Sequence, residues 1–251
     1  MAKVNVIFYC APNFDAGTEA TMRAMQRVNE KYKAQLQSWA AWDTAAFRDA
    51  FESVISRGDP KGVYIASHGT STYVLGDDGK NLLDSANISK LSGRVVYVWS
   101  CQAGITLIPD GINKKVAAAL AYKGDVSAFI TQNPDGTWDL AEDSEDVFIQ
   151  PIKSLNEGRT VLEAYQDTVA RYDYWIKYWT QQGATAIANV FKANKEIFTY
   201  FGNPSEKVYL KPEEIIRQQI TEQVATTIIP SILLMFIFMM LMSILTAITK
   251  E

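Results

Sequence analysis

The sequence predicts an α/β protein with a doubly wound, mostly parallel sheet, followed by a single C-terminal transmembrane helix. Two apolar runs, 63–66 and 95–99, are rich in β-branched and aromatic residues and do not alternate with polar residues. Such runs are typical of strands buried on both faces of a parallel sheet. Helical patterns separate the strand candidates of the first half, and this β-α-β-α-β order favours right-handed crossovers. The third observation is an uncharged apolar block at 228–248.

The composition indicates which partners and which cellular compartment are expected for the protein. The chain of 251 residues is long enough for one large domain or two small ones. Its net charge of -4 and the lack of a Lys/Arg cluster argue against nucleic acid as a partner. The two cysteines have no metal-type spacing, which disfavours a disulfide framework and suits a reducing compartment. Residues 1–9 are predicted to enter the first strand and not to form a signal peptide.

The first half of the chain alternates strand and helix patterns. Apolar residues recur with a loose helical period over 18–36, and Asp43 is placed to cap a second helix. A turn at 57–60 precedes the strand that leads to His68. The predicted elements are, in chain order, strand 3–10, helix 18–36, strand 37–42, helix 44–56 and strand 63–66.

The second half continues from strand 95–99, which leads to Cys101. The predicted elements after it are helix 109–122, strand 125–131, a turn at 133–136 and an aromatic-rich helix at 160–182. The rings of that last helix are expected to pack against the sheet, because Tyr and Trp carry large apolar areas; a stacking platform for a substrate is the alternative. Residues 139–146 contain five carboxylates and are predicted to form a solvated loop.

Reactive side chains follow the two apolar runs. The first run leads into Ser67-His68-Gly69, and the second into Ser100-Cys101-Gln102-Ala103-Gly104. In open α/β sheets ligands bind at the carboxyl ends of the strands, so both segments should lie at the functional edge. His68 is the only histidine of the chain. It is therefore the only imidazole available to take a proton from the Cys101 thiol, whose thiolate is the nucleophilic form.

This ordered pair of motifs resembles the caspase/gingipain/legumain superfamily of cysteine peptidases. A strand that ends in His-Gly and a later strand that ends in Ser-Cys-x-x-Gly are closest to the gingipain-like and CHAT-type branches. Residues 73–82 are similar to the hairpin that these domains place between histidine and cysteine. Residues 200–205 are similar to their closing Gly-Asp-Pro-Ser segment, with Asn203 in place of the aspartate. The resemblance covers residues 1–208.

The resemblance implies a chemistry and a set of site residues. His68 and Cys101 would form the catalytic dyad, and the backbone N–H groups of Gly69 and Cys101 would form the oxyanion hole. Glycine suits that position because it lets a substrate carbonyl approach the chain closely. The reaction would be peptide-bond hydrolysis without a cofactor or metal, and no third catalytic residue is assigned.

Cys10 is excluded as a rival or partner of Cys101. In the expected 2-1-3-4 strand order the third strand separates the two cysteines, and two strand spacings are roughly 9.6 Å. That separation exceeds the ~7 Å limit for a disulfide. Cys10 is therefore interpreted as a small apolar residue near the rim of the site. Taken without the resemblance, the same residues favour a buried cysteine and a hydrogen-bonded histidine on an inert Rossmann-like sheet.

The block at 228–248 is predicted to be a transmembrane helix. Its 21 uncharged residues would rise roughly 31 Å as a helix, about the thickness of the bilayer hydrocarbon. A buried core helix would need apolar cover all round, and only three residues follow the block. The interpretation is a tail-anchored, single-pass protein whose N-terminal domain is cytoplasmic and whose residues 209–227 form a juxtamembrane helix or linker.

Three functions of different classes follow from these features. The first is a membrane-anchored cysteine endopeptidase acting on protein or peptide substrates through His68 and Cys101. The second is a catalytically silent caspase-like scaffold or assembly protein in a cellular or viral membrane. The bulky Trp99 beside the site is compatible with this second function. The third is a redox or acyl-transfer enzyme that uses Cys101. The bilayer is the expected partner of 228–248, and a second copy of the chain is a further candidate partner.

Overall fold

A computed structural model describes residues 6–209 of the chain. The chain divides into two units, Met1–Tyr209 and Leu210–Glu251, and the fold below is that of the first. Its strands are β1 (Val6–Ala11), β2 (Gln37–Trp42), β3 (Gly62–Ala66), β4 (Tyr73–Leu75), β5 (Asn81–Asp84), β6 (Val95–Trp99), β7 (Ala118–Tyr122), β8 (Ile130–Gln132), β9 (Trp138–Leu140) and β10 (Phe198–Gly202). Its helices are α1 (Ala16–Tyr32), α2 (Arg48–Gly58), α3 (Leu107–Asn113), α4 (Glu142–Phe148), α5 (Gln150–Asn156), α6 (Val161–Gln181) and α7 (Thr185–Ile197).

The centre of the unit is a six-stranded sheet with the strand order β10-β7-β6-β3-β1-β2. The five strands from β7 to β2 are parallel to their neighbours, and only β10 runs antiparallel, against β7. An α/β protein with a mostly parallel sheet is therefore confirmed, and the architecture is compatible with a doubly wound fold. The predicted neighbours are confirmed as well, because β3 lies between β1 and β6.

The sheet separates two hydrophobic cores, one on each face. Successive side chains of β1 alternate between them: Ile7 and Tyr9 belong to one core, Phe8 and Cys10 to the other. Helices α1, α5 and α6 cover the first face, whereas α2, α3 and the β4–β5 hairpin cover the second. Every residue of β3, β6 and β7 is buried. This two-sided burial explains why the strand sequences are continuously apolar.

The predicted helix at 109–122 is correct only as far as Asn113, and the predicted strand at 125–131 is correct only at its last two residues. Helix α3 ends at Asn113, a left-handed turn at Lys115 (φ 70°) follows, and the alanine-rich residues 118–122 form β7 in the sheet. Alanine has the highest helix propensity, but tertiary structure overrides it here because residues 118–122 pair with both β6 and β10 and are buried on both faces of the sheet. Most of 125–131 is a loop, and only its end enters the short β8.

The acidic stretch at 139–146 is not the predicted solvated loop. It closes β9 and opens α4, and its carboxylates bind side chains of other elements. Arg23 and Arg27 of α1 bind Asp139, with Arg23 Nε 3.0 Å and Arg27 Nη1 2.7 Å from Oδ1. Asp146 accepts a hydrogen bond from Arg171 Nε of α6 at 2.7 Å. The acidic segment therefore joins α1 to α6 across one face of the sheet.

The aromatic helix α6 buries part of its rings, as predicted. Tyr172 is fully buried in the first core. Trp175 and Trp179 are half-buried, and each indole N–H donates to a carboxylate of α4. Tyr174 and Tyr178 remain 51% and 38% exposed, so the expectation that the rings pack inward is confirmed only for one side of the helix.

Within residues 6–209 no helix combines the length and the apolar character that crossing a bilayer requires. The predicted membrane span at 228–248 and, apart from Tyr209, the predicted juxtamembrane segment at 209–227 lie outside the described residues.

Candidate active site

The two strand ends that carry the predicted dyad lie side by side. Strands β3 and β6 are parallel neighbours in which Ala66 is paired with Trp99, and the Ser67 amide donates to the Trp99 carbonyl at 3.2 Å. His68 and Cys101 both line one cavity of about 180 Å³ at this edge of the sheet. The order of the strands in the sheet therefore places the His68 imidazole and the Cys101 thiol at the same cavity.

His68 is held by a carboxylate that sequence reasoning did not select. Its Nε2 lies 2.7 Å from Asp15 Oδ2, and its ring packs 5.6 Å from the ring of Phe14. An ionised carboxylate only accepts hydrogen bonds, so the Nε2 atom carries the shared hydrogen and Nδ1 is the basic nitrogen of the neutral ring. The pair fixes both the orientation and the tautomer of the imidazole.

Asp15 is positioned by the first turn of α1. Oδ1 accepts hydrogen bonds from the Thr18 amide at 2.8 Å and from the Thr18 hydroxyl at 3.0 Å, which leaves Oδ2 for His68. Burial raises the pKa of the Asp15 carboxyl, but the hydrogen bonds from Thr18 and His68 outweigh burial, so that the pKa lies below its usual value. The carboxylate is therefore ionised at neutral pH.

A local signal for Asp15 exists in the sequence. Aspartate followed three residues later by threonine, directly after a strand, is typical of a helix N-cap. The expected strand order already placed the carboxyl end of the first strand beside the one that leads to His68. Together these two features select Asp15 as the helix N-cap. The prediction missed it because it began the helix at Thr18, two residues after the observed start at Ala16.

Cys101 occupies a tight turn directly after β6. The Val126 amide donates to its Sγ at 3.4 Å, and the thiol donates to the Val126 carbonyl oxygen at 4.0 Å. The next residue, Gln102, has a left-handed backbone (φ 57°), which is unusual for a residue other than glycine. Two hydrogen bonds hold Gln102 in this conformation. Its backbone N–H donates to the Gly124 carbonyl at 2.9 Å, and its side-chain amide donates to Asp125 Oδ1 at 2.8 Å. Strained backbone beside a reactive side chain is typical of functional sites.

Gly69 is required by close packing against the neighbouring strand end and the hairpin. A Cβ atom at this position would lie 2.4 Å from Ser100 Oγ and 2.5 Å from the Tyr73 carbonyl oxygen. Gly69 faces Val74 in an antiparallel bridge whose two hydrogen bonds flank it, from Thr70 N to Tyr73 O and from Leu75 N to His68 O. In such a pair the amide of the enclosed residue points away from the partner strand. This geometry fits the predicted role of the Gly69 N–H as a donor.

Two serine hydroxyls next to the dyad are buried without a hydrogen-bond partner in the described part of the chain. Ser67 is 8% exposed and Ser100 is 2% exposed, and both residues line the cavity. The two residues follow β3 and β6 at matching positions, and each directly precedes a residue of the predicted dyad, His68 or Cys101.

Cys10 is not part of the site, as predicted. It is fully buried in β1, and burial raises the pKa of its thiol well above the ordinary value. Both cysteines are free, and β3 lies between the strands that carry them or lead to them. Cys10 behaves as an apolar core residue in the second core.

Between Val6 and Tyr209 there is no group of three or more His, Cys, Asp or Glu side chains that could hold a metal ion. No model of a known protein family matches this chain, and no curated protein is significantly similar to it in sequence. The predicted resemblance to the caspase/gingipain/legumain superfamily therefore stays a prediction from the sequence motifs alone.

Proposed function

We propose that this protein is a membrane-anchored cysteine endopeptidase with a caspase-hemoglobinase-like fold. The observation that carries the proposal is the Asp15–His68 hydrogen bond at a cavity that Cys101 also lines. A carboxylate, an imidazole and a thiol from three neighbouring strand ends supply the orienting group, the base and the nucleophile of a cysteine peptidase.

The reaction proceeds through an acyl-thioester. His68 takes the proton of the Cys101 thiol while Sγ attacks the carbonyl carbon of the scissile bond, and a C–S bond forms. His68 then gives the proton to the amide nitrogen, the C–N bond breaks and the amine product departs. Water adds to the acyl carbon and passes a proton through His68 to the departing sulfur. The C–S bond breaks, and the carboxylic acid and the free thiol are released.

The backbone amides of Gly69 and Cys101 stabilise the negative oxygen of the tetrahedral intermediates. Losing one such donor lowers catalysis by roughly 100- to 1,000-fold in enzymes of this type. Asp15 does not touch the substrate in this scheme. It acts through His68 by holding the ring with Nδ1 as the basic nitrogen and by stabilising the imidazolium that forms.

The location of the reaction follows from residues 228–248. We propose that this block anchors the enzyme to a bilayer, with the N-terminal domain on the cytoplasmic side. Anchoring raises the local concentration of substrates at the same membrane and restricts cleavage to proteins near it, including neighbouring copies of the chain.

The test uses the full chain in detergent with a mixed peptide library, and the readout is the set of cuts that Cys101→Ala abolishes. In parallel, iodoacetamide alkylation of Cys101 is compared in wild type and His68→Ala near neutral pH, with the buried Cys10 as the internal control. We expect Cys101-dependent cuts and slower alkylation in His68→Ala, because less of the sulfur is present as thiolate. Equal alkylation rates together with no Cys101-dependent cut would instead support the catalytically silent scaffold.

A further inference from the structure

Apart from Gly17 and the hydroxyl-bearing residues Thr18, Thr21, Ser67 and Ser100, the wall of the cavity beyond His68 and Cys101 is apolar. Trp99 lies at the end of β6, stacked on Phe148 at 4.4 Å between ring centroids, and Leu140 of β9 also lines the cavity. Val126, Ala128 and Ile130 line the cavity from the segment that leads into β8. No Asp, Glu, Lys or Arg side chain lines this cavity.

The carboxylate nearest in sequence to the apolar wall, Asp139, is directed away from the cavity, and the Asp15 carboxylate is bound to His68. Asp139 precedes Leu140 in β9, but side chains alternate along a strand, so the carboxylate lies on the opposite face from Leu140. There it is bound by Arg23, Arg27 and Asn133. A charged side chain entering the cavity would meet no compensating charge on its wall, and burying an unpaired charge is strongly unfavourable.

The size of the cavity suits one large apolar side chain. Its volume is about 180 Å³, whereas an apolar cavity of ~150 Å³ accommodates a benzene molecule. A leucine, methionine or phenylalanine side chain therefore fits, and burying it is favourable in proportion to the apolar area removed from water.

We propose, resting on the peptidase function above, that this cavity selects an uncharged apolar residue of the size of leucine, methionine or phenylalanine immediately before the scissile bond. The carbonyl attacked by Cys101 Sγ belongs to that residue, and its side chain branches from the carbon next to the carbonyl. A cavity that Cys101 itself lines is therefore within reach of this side chain. Ile130 is a specificity-determining residue because it is half-buried at the wall and belongs to a short surface hairpin.

The experiment measures kcat/KM for the full chain in detergent on fluorogenic peptides that differ only at the residue before the cut. Leu, Met and Phe peptides should exceed Asp, Glu, Lys and Arg peptides by at least about tenfold, since even one methylene in an apolar pocket is worth roughly 10- to 200-fold. Ile130→Glu should shift the preference toward Lys and Arg. Ile130→Ala should raise the value for Phe relative to Leu.

The matched control is Ile105→Glu. Ile105 is 50% exposed, lies four residues after Cys101 and does not line the cavity, so the same change of charge there should leave the preference unaltered. Cys101-dependent cleavage that prefers a charged residue, or a preference that Ile130→Glu does not move, overturns the specificity and leaves the peptidase function standing. Absence of any Cys101-dependent cleavage overturns both.

Discussion

At the scale of the residue, Asp15 and Gly69 each have a structural task besides the proposed catalytic one. The Asp15 carboxylate caps α1 with one oxygen and binds His68 with the other. Gly69 leaves room for Ser100 and Tyr73 where any side chain would collide. A substitution at such a position can keep one task and remove the other. It therefore separates the structural role from the proposed catalytic role.

Replacing Asp15 by asparagine separates its two tasks. Asparagine caps helices about as well as aspartate, so the Tm of Asp15→Asn should match that of wild type. The amide lacks the negative charge that stabilises the imidazolium, so kcat/KM on a cleaved peptide should fall roughly tenfold to 100-fold. Asp15→Ala is the control and should lose activity and also about 1 kcal/mol of stability. Unchanged kcat/KM in Asp15→Asn would remove Asp15 from the proposed mechanism.

Adding one methyl group at Gly69 should be costly. Gly69→Ala places Cβ within 2.5 Å of two oxygen atoms, so we expect a loss of roughly 1–3 kcal/mol in the free energy of unfolding, as for overpacked cores. Ser100→Ala alone should be neutral or stabilising, because its hydroxyl is buried without a partner in the described chain. The double variant should recover only part of the loss, since the Tyr73 carbonyl oxygen remains. Denaturant unfolding of the three variants measures these differences, and a Gly69→Ala protein as stable as wild type would contradict the packing argument.

At the scale of the element, the arginine–carboxylate contacts hold the helices of one face together. Asp139 receives Arg23 and Arg27 from α1 and Asn133 from the turn before β9, and Glu145 of α4 is also bound by Arg27. The hydrogen bond from Arg23 lowers the pKa of the Asp139 carboxyl far below its usual value, and Asn133 and Arg27 lower it further. These contacts place β9, and with it the cavity residue Leu140, against α1.

The stabilising effect of Asp139 should depend on pH. Its folded-state pKa is depressed, so its contribution is present above the unfolded-state pKa of about 3.9 and is lost as the pH falls toward the folded-state value. Asp139→Asn should lower the free energy of unfolding by about 1 kcal/mol at pH 7, or roughly 2–4 °C in Tm. The difference from wild type should shrink as the pH falls below about 4 and should continue to shrink toward the folded-state pKa. Tm measured across this range tests it, with the exposed Glu142→Gln as control; a pH-independent difference would be the contrary result.

At the scale of the whole molecule, the two described cores belong to the α/β unit. Their buried residues extend from Ile7 to Val208, and Tyr209 packs against the first core. Every described core residue therefore precedes the apolar block at 228–248. The described residues that line the cavity, His68 and Cys101 among them, belong to the same unit.

Deleting residues 228–251 should leave a soluble, cooperatively folded domain that keeps its Cys101-dependent activity in solution. A shorter chain that ends at Tyr209 should unfold with a Tm within a few degrees of it. Circular dichroism and thermal unfolding of both chains provide the measurement. Aggregation of both, or loss of the helical and strand signals, would show that the apolar block belongs to the core and not to a membrane anchor.

The sequence by itself determined the α/β fold class, the buried strands and the two strand-end motifs. These features are local: continuous apolar runs mark two-sided burial, and the residues after each run must emerge at one edge of the sheet. The neighbour relation of the strands that lead to His68 and Cys101 followed from the order of elements along the chain. The exclusion of Cys10 followed from the same order.

Only the tertiary structure decided the features that join distant parts of the chain. The Asp15–His68 pair links residues 53 apart in sequence, and the Arg23–Asp139 pair links residues 116 apart. The alanines of β7 form a strand because they pair with β6 and β10 inside the sheet and are buried between its two cores, although their own propensity favours a helix. The apolar wall of the cavity is likewise assembled from β6, β9 and the segment before β8. Local patterns encode which faces are buried, but which partners meet there is fixed by packing between segments far apart in sequence.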